Sequence, residues 1–180
     1  MKDFERACLL DDRAPEIWLP WGLALMGVED YPGALQTLSK AVIYDQESAS
    51  ARARRGYVYF VLGRDAEARL DLEAALKADP KLLVARSNLG LLEARLGNHD
   101  AAIGHYRQVL EADPGQYVTR YNLALVYQRA GRGAEACAEL RRVAADAPAD
   151  SVEAREAQGR LALDCPEAST QLSTDLEQDQ

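Results

Sequence analysis

Apolar residues along the chain fall into short runs with helical spacing. Between residues 83 and 96, Leu89, Leu92 and Leu96 recur three and four apart, and Gly97-Asn98 then interrupts the run. That spacing lines one face of a helix, and glycine is a common helix stop. In the next run Ala102, Ile103, Tyr106, Val109 and Leu110 share a face. It closes at Asp113-Pro114, since the residue before a proline is pushed out of the α region. The pattern predicts two helices joined by a tight turn.

The same pattern repeats every 34 residues. A forward shift places Asn122 on Asn88, Gly131 on Gly97, Ala136 on Ala102, Val143 on Val109 and Pro148 on Pro114. A backward shift places Gly56, Gly63, Ala68, Ala75 and Pro80 on the corresponding positions, and a further step finds Trp18, Gly22, Leu25, Ala34, Leu38 and Ala41. Four units follow: 15–48, 49–82, 83–116 and 117–150. Glycine or alanine holds the eighth and twentieth places of each, and alanine or valine the twenty-seventh. Gly90 and Ala102 are expected to be small because two helix axes approach closely there. A lone helix pair cannot bury its apolar face, but stacked neighbours can.

The flanks continue the phase. Phe4, Ala7 and Asp11 predict a leading half-repeat helix within residues 1–14. Val152, Ala154, Ala157, Leu161 and Leu163 predict a capping helix over 151–164. Residues 165–180 show neither helical periodicity nor a basic side chain, and are expected to form an acidic mobile tail.

The period, the small residues at places eight, twenty and twenty-seven, the tyrosine or leucine at place twenty-four and the proline at place thirty-two resemble the tetratricopeptide repeat (TPR) family. The resemblance implies an all-α fold, a right-handed α-solenoid of four TPR helix pairs with the leading half-repeat helix and the C-terminal capping helix. Departures stand at Gln46, where proline is usual, and at Arg55 and Glu93, on places the family keeps apolar or aromatic. A lone buried charge is costly, so these two, in adjacent units, are expected to pair with each other.

The resemblance also implies that first helices line a concave surface. The second unit would present Arg54, Tyr57 and Phe60 there. The third would present Asn88, Leu91 and Arg95, and the fourth Tyr121, Asn122, Leu125 and Arg129. Exposed apolar side chains of this kind mark interaction sites, and tyrosine and arginine often carry interface energy. An amide both donates and accepts, so Asn88 and Asn122 suit an extended peptide backbone, and their recurrence resembles the asparagine ladder of the O-linked N-acetylglucosamine transferase array. The carboxylate clamp of chaperone-tail-binding TPR domains is absent, because the fifth and ninth places hold Leu19, Ala53, Ser87, Tyr121 and Leu23, Tyr57, Leu91, Leu125. The expected function is a non-enzymatic scaffold or adaptor that takes a peptide or helix of another protein, with an acidic or amphipathic segment suiting the arginines. The blander alternative for the arginines is a solvated face. The alternatives for the module are a substrate-recruiting segment of a larger enzyme and self-assembly through the incomplete N-terminal helix.

Composition narrows the field further. The formal net charge is −8, with 48% hydrophobic residues. Acidity argues against nucleic-acid binding, which needs clustered cations. Half of that charge sits in the tail, on Glu167, Asp175, Glu177 and Asp179, so the repeats are only mildly acidic. No run of about 18 apolar residues exists to span a membrane. Cys8, Cys137 and Cys165 are an odd set without CxxC spacing, which points to a reducing, cytoplasmic setting with Cys137 as a small packed residue. His99 and His105 are six apart and expected to be solvated, and no catalytic motif or cofactor site is legible. Asp45, Asp79 and Asp113 share the thirty-first place and read as turn residues.

Overall fold

The computed structural model describes residues 15–165. The expected leading helix and the tail beyond Cys165 lie outside them. Among the described residues all regular structure is helical: α1 (Pro15–Gly27), α2 (Tyr31–Tyr44), α3 (Ala49–Val61), α4 (Asp65–Ala78), α5 (Leu83–Arg95), α6 (His99–Ala112), α7 (Tyr117–Arg129), α8 (Gly133–Asp146) and α9 (Val152–Asp164). First helices start at 15, 49, 83 and 117 and second helices at 31, 65, 99 and 133, the same 34-residue period in both. The fold is an all-α solenoid of helix pairs, and the chain divides into two compact units between Ala112 and Asp113.

Local chemistry sets the turns. Gly63, Gly97 and Gly131 occupy one place in successive pairs, with φ of +74°, +80° and +73°. A side chain there strains against the following carbonyl, so glycine ends each first helix cheaply. In the first pair the same place is Glu29, at φ +60°. Asp30 then caps α2 by accepting from the Gly33 N–H at 3.0 Å. Asp45, Asp79 and Asp113 are turn residues as expected, each accepting from the N–H two residues on at 3.2, 2.9 and 3.1 Å.

In the first unit, small residues let the helices of each pair meet. Ala34, Ala68 and Ala102 are fully buried. A Cβ added to Gly56 would lie 2.8 Å from Leu72, and one added to Gly90 would lie 2.6 Å from the Tyr106 ring. The core between pairs is aliphatic, with Leu72, Ala75, Ala85, Leu89 and Leu92 in one cluster.

The two charges set into this packing do not meet each other. Arg55 instead grips Asp71 on α4 of its own pair, Nε to Oδ2 at 2.6 Å and Nη2 to Oδ1 at 2.8 Å. Glu93 accepts from Arg69 on α4 of the preceding pair at 2.5 Å and from Asn98 at 2.7 Å. Each buried charge thus finds its partner on a neighbouring second helix. A further recurrence escaped the sequence reading. Arg52, Arg86 and Arg120 share the fourth place, and each reaches back to a carbonyl six residues earlier: Gln46 O at 2.9 Å, Pro80 O at 2.7 Å and Pro114 O at 2.7 Å. Those carbonyls lie just after a helix end, where backbone acceptors lack helical donors.

In the second unit α9 packs chiefly on α8 and also on α7. Tyr121, Ala124, Leu140, Val143, Ala154 and Ala157 share its core with Cys165. Cys165 is not part of a tail. It caps the end of α9, is 6% exposed and is disulfide-bonded to Cys137 on α8, with 5.8 Å between their Cα atoms. That pairing removes the premise for a reducing setting, because disulfides persist where the surroundings are oxidising.

Candidate functional site

In the first unit the expected binding residues lie on α3 and α5. Tyr57 and Phe60, one helical turn apart, stack with ring centroids 6.3 Å apart and planes 28° apart. Arg95 lays its guanidinium over Phe60, 3.7 Å from the ring centroid. It also donates to the Phe60 carbonyl at 2.7 Å and pairs with Asp65. Phe60 and Arg95 are therefore engaged with each other and with α4, which leaves Arg95 little capacity to take a ligand carboxylate.

Arg54 differs. It is half-buried and has neither ion-pair nor hydrogen-bond partner among the described residues. It stands one turn before Tyr57, on the same side of α3. Tyr57 is half-buried too, and burial, reinforced by Tyr31, raises its phenol above the ordinary value of 10. The hydroxyl thus stays a neutral donor and acceptor at physiological pH. Leu91 on α5 is half-buried, while Leu23 on α1 is 38% exposed. Asn88 is buried at 8% exposure, so its amide is largely withdrawn from a surface ligand.

In the second unit Tyr121 is not the exposed aromatic that the sequence suggests. It is 7% exposed and packs in the core beneath α9. Its hydroxyl donates to Glu156 and accepts from Arg160 Nε at 3.1 Å. Burial, reinforced by Glu156, raises its pKa. The capping helix thus covers the place where a groove residue was expected. Leu125 is partly buried against the same cluster. Asn122 is half-buried and Arg129 exposed, and neither has a polar partner among the described residues.

His105 also departs from expectation. It is half-buried, and its Nδ1 is shielded from solvent with no hydrogen-bond partner among the described residues. Desolvation, helped by the nearby Arg86, holds its pKa below 6.5. His99 is partly exposed at the first position of α6. The sequence held one signal for His105: it occupies the twenty-third place, where Asp71 in the second pair and Glu139 in the fourth also carry polar groups facing a first helix.

Comparison with known proteins agrees with this architecture. Two family models described as "Tetratricopeptide repeat" match residues 19–82 and 93–161. Among solved structures, the thermophilic TPR protein TTC0263 of Thermus thermophilus is 23% identical, with a TM-score of 0.78 over 89% of this chain and 88% of that one. PilW, a type IV pilus biogenesis factor, is 22% identical, with a TM-score of 0.74 over 96% and 87% of the two chains. MamA is 24% identical, with a TM-score of 0.68 over 88% and 86%. No curated protein sequence is a significant match. At these identities the likeness to solved structures concerns the fold. The family is carried by the two model matches, which between them take in a helix pair at either end of the repeat region and most of what lies between. The chain belongs to the tetratricopeptide repeat family.

Proposed function

We propose that this protein is a non-enzymatic scaffold that holds a peptide or helix of another protein against its first helices. TPR repeats generally mediate protein–protein contacts, which is the class of function the family supports. The observation that carries the finer reading is Arg54 beside Tyr57. A cation without a partner among the described residues stands one turn from a neutral phenol on a helix whose other side is packed. A half-desolvated guanidinium takes a carboxylate with charge-assisted hydrogen bonds, and a tyrosine edge adds apolar area with a polar tip. Leu91 and the exposed Leu23 supply aliphatic contact. The segment this suits carries an acidic residue next to an apolar one. In the second unit, Asn122 and Arg129 offer an amide and a cation, with Leu125 as partly covered apolar surface.

Asn88 and Tyr121 support the repeats from within, so substituting Tyr121 confounds binding with loss of the cap. The cleaner test displays a random peptide library to the full chain and compares it with the Arg54→Glu/Tyr57→Ala variant. Selected peptides are expected to pair an acidic with an apolar residue and to bind the variant about tenfold or more weakly, the loss of a charge-assisted contact. Unchanged circular dichroism shows that the variant is folded. Peptides that bind both proteins equally, or that carry no acidic preference, overturn the reading.

A further inference from the structure

The cleft bordering the disulfide has a volume of about 360 Å³ and is lined by Gln128, Gly131, Gly133, Cys137 and Asp164. Two of its five lining residues are glycines with open space where a side chain would stand. The two sulfurs meet it unequally. Cys137 is half-buried and lines the cleft, whereas Cys165 is 6% exposed and sits in the core of the second unit. Thiol–disulfide exchange requires a thiolate to reach one sulfur along the S–S bond. Among the described residues Cys137 lines this opening, whereas Cys165 is 6% exposed, so Cys137 offers the more accessible sulfur.

We propose that Cys137–Cys165 is a redox site that latches the end of the capping helix, opened through this cleft by a dithiol reductant. The attacking thiolate bonds to the Cys137 sulfur, the S–S bond breaks and Cys165 leaves as a thiolate that takes up a proton. The reductant's second thiol then attacks its own bridging sulfur and releases Cys137. The reductant ends as a disulfide, having given two electrons and two protons to the two cysteines.

The rest of the cap's attachment shows what the latch controls. Ala154 and Ala157 are fully buried, and Glu156 and Arg160 both bond the Tyr121 hydroxyl. These contacts hold the first three turns of α9 whichever redox state obtains. The final turn depends on the Gln128–Asp164 hydrogen bond of 2.9 Å, the Cys165 N–H to Leu161 carbonyl bond of 3.2 Å and the disulfide. Opening the latch therefore frees the last turn first and uncovers Leu161 and Cys165 at the edge of the core, while the rest of the helix stays docked.

The test uses the full chain carrying Cys8→Ser, so that only the pair can react. In air-oxidised protein, peptide mapping without reduction is expected to find Cys137 and Cys165 cross-linked. Adding dithiothreitol to the folded protein is expected to open the bridge. Hydrogen exchange at Leu161–Cys165 should then speed up by about tenfold or more, with α7 and α8 unchanged. Limiting glutathione, quenched by acid, should leave its mixed disulfide on Cys137. A missing cross-link, a bridge that yields only in denaturant, glutathione on Cys165 or exchange that is unchanged on reduction each overturns the proposal. The Cys137→Ser variant separates latch from fold: it should give the fast exchange without any reductant.

Discussion

Arg55 and Asp71 face each other across the second helix pair in a two-pronged ion pair, with side chains 17% and 8% exposed. Hydrogen bonding to Asp71 and its charge raise the Arg55 pKa despite burial. Breaking such a pair from one side strands a desolvated charge, which costs about 3–5 kcal/mol when burial is complete and less at this exposure. Asp71→Ala is thus expected to destabilise the first unit by roughly 2–4 kcal/mol. Replacing both partners by leucine removes the stranded charge, so Arg55→Leu/Asp71→Leu should recover most of that loss. Denaturant unfolding of the wild type and the two variants checks this, and a double variant as weak as Asp71→Ala would show that the pair itself stabilises the fold.

Glu29 stands where the other three pairs have glycine, with its backbone at φ +60° against +74°, +80° and +73°. Its side chain is exposed, and no polar contact of it is seen among the described residues. The left-handed conformation costs a non-glycine residue about 1–2 kcal/mol, offset in part by the greater freedom glycine loses on folding. Glu29→Gly is therefore expected to stabilise the first helix pair by about 0.5–1 kcal/mol, read as slower hydrogen exchange in α1 and α2. The same change gives Gly63→Glu the opposite sign.

The helices and their period were legible because each unit prints small residues at the same places, and three of the four print the turn glycine as well. A 34-residue shift therefore checks an assignment in one unit against the other three. Turn chemistry was legible for the same reason, down to Asp45, Asp79 and Asp113. Side-chain partners were not. Arg55 and Glu93 were recognisable as odd, but helical phase places a residue on a face and does not choose among the neighbours that the face meets. Asp71 and Arg69, both on α4, were equally in reach. Tyr121 was misread because an array's last first-helix loses its open side to the cap, an end effect that a repeat-averaged pattern hides. Cys137 and Cys165 were misread because an odd cysteine count was weighed above their positions, one on the last second helix and one at the end of the cap.

Gly90 and Tyr106 make a second test of close packing. A methyl at Gly90 would lie 2.6 Å from the ring, so the ring must move although it is fully buried. Gly90→Ala is expected to cost about 1–3 kcal/mol as overpacking. In the fourth pair the equivalent places hold Ala124 and Leu140, both fully buried. Gly90→Ala/Tyr106→Leu copies that combination and should regain part of the loss, at a residual cost of about 1 kcal/mol for the smaller side chain. Two losses that simply add would mean that the two positions do not compete for space.

Acid should loosen the first unit in two steps, each with an identified group. His105 on α6 faces Arg86 and Glu93 on α5 and Arg69 on α4. Desolvation and then Arg86 hold its pKa below 6.5, with Glu93 opposing. Glu93 lies below its ordinary 4.5, chiefly through the hydrogen bond from Arg69 and then through Asn98, with burial opposing. Both shifts are downward, so at either step the unfolded chain binds the proton first and stability falls with pH, by up to about 1.4 kcal/mol per pH unit for each proton. The His105 contribution is complete above pH 6.5 and is lost as pH drops through its folded value. The Glu93 contribution is complete above pH 4.5 and is lost on the same terms. Denaturant midpoints of the first unit, followed by hydrogen exchange in α5 and α6, should hold steady from pH 8 to 7 and then decline. His105→Gln should flatten the upper part of the decline and leave the lower. Glu93→Gln should flatten the lower part while reducing stability at neutral pH, because Arg69 loses its ionised partner. Identical pH profiles for wild type and His105→Gln would show that the imidazole titrates in the folded chain as it does in the unfolded one.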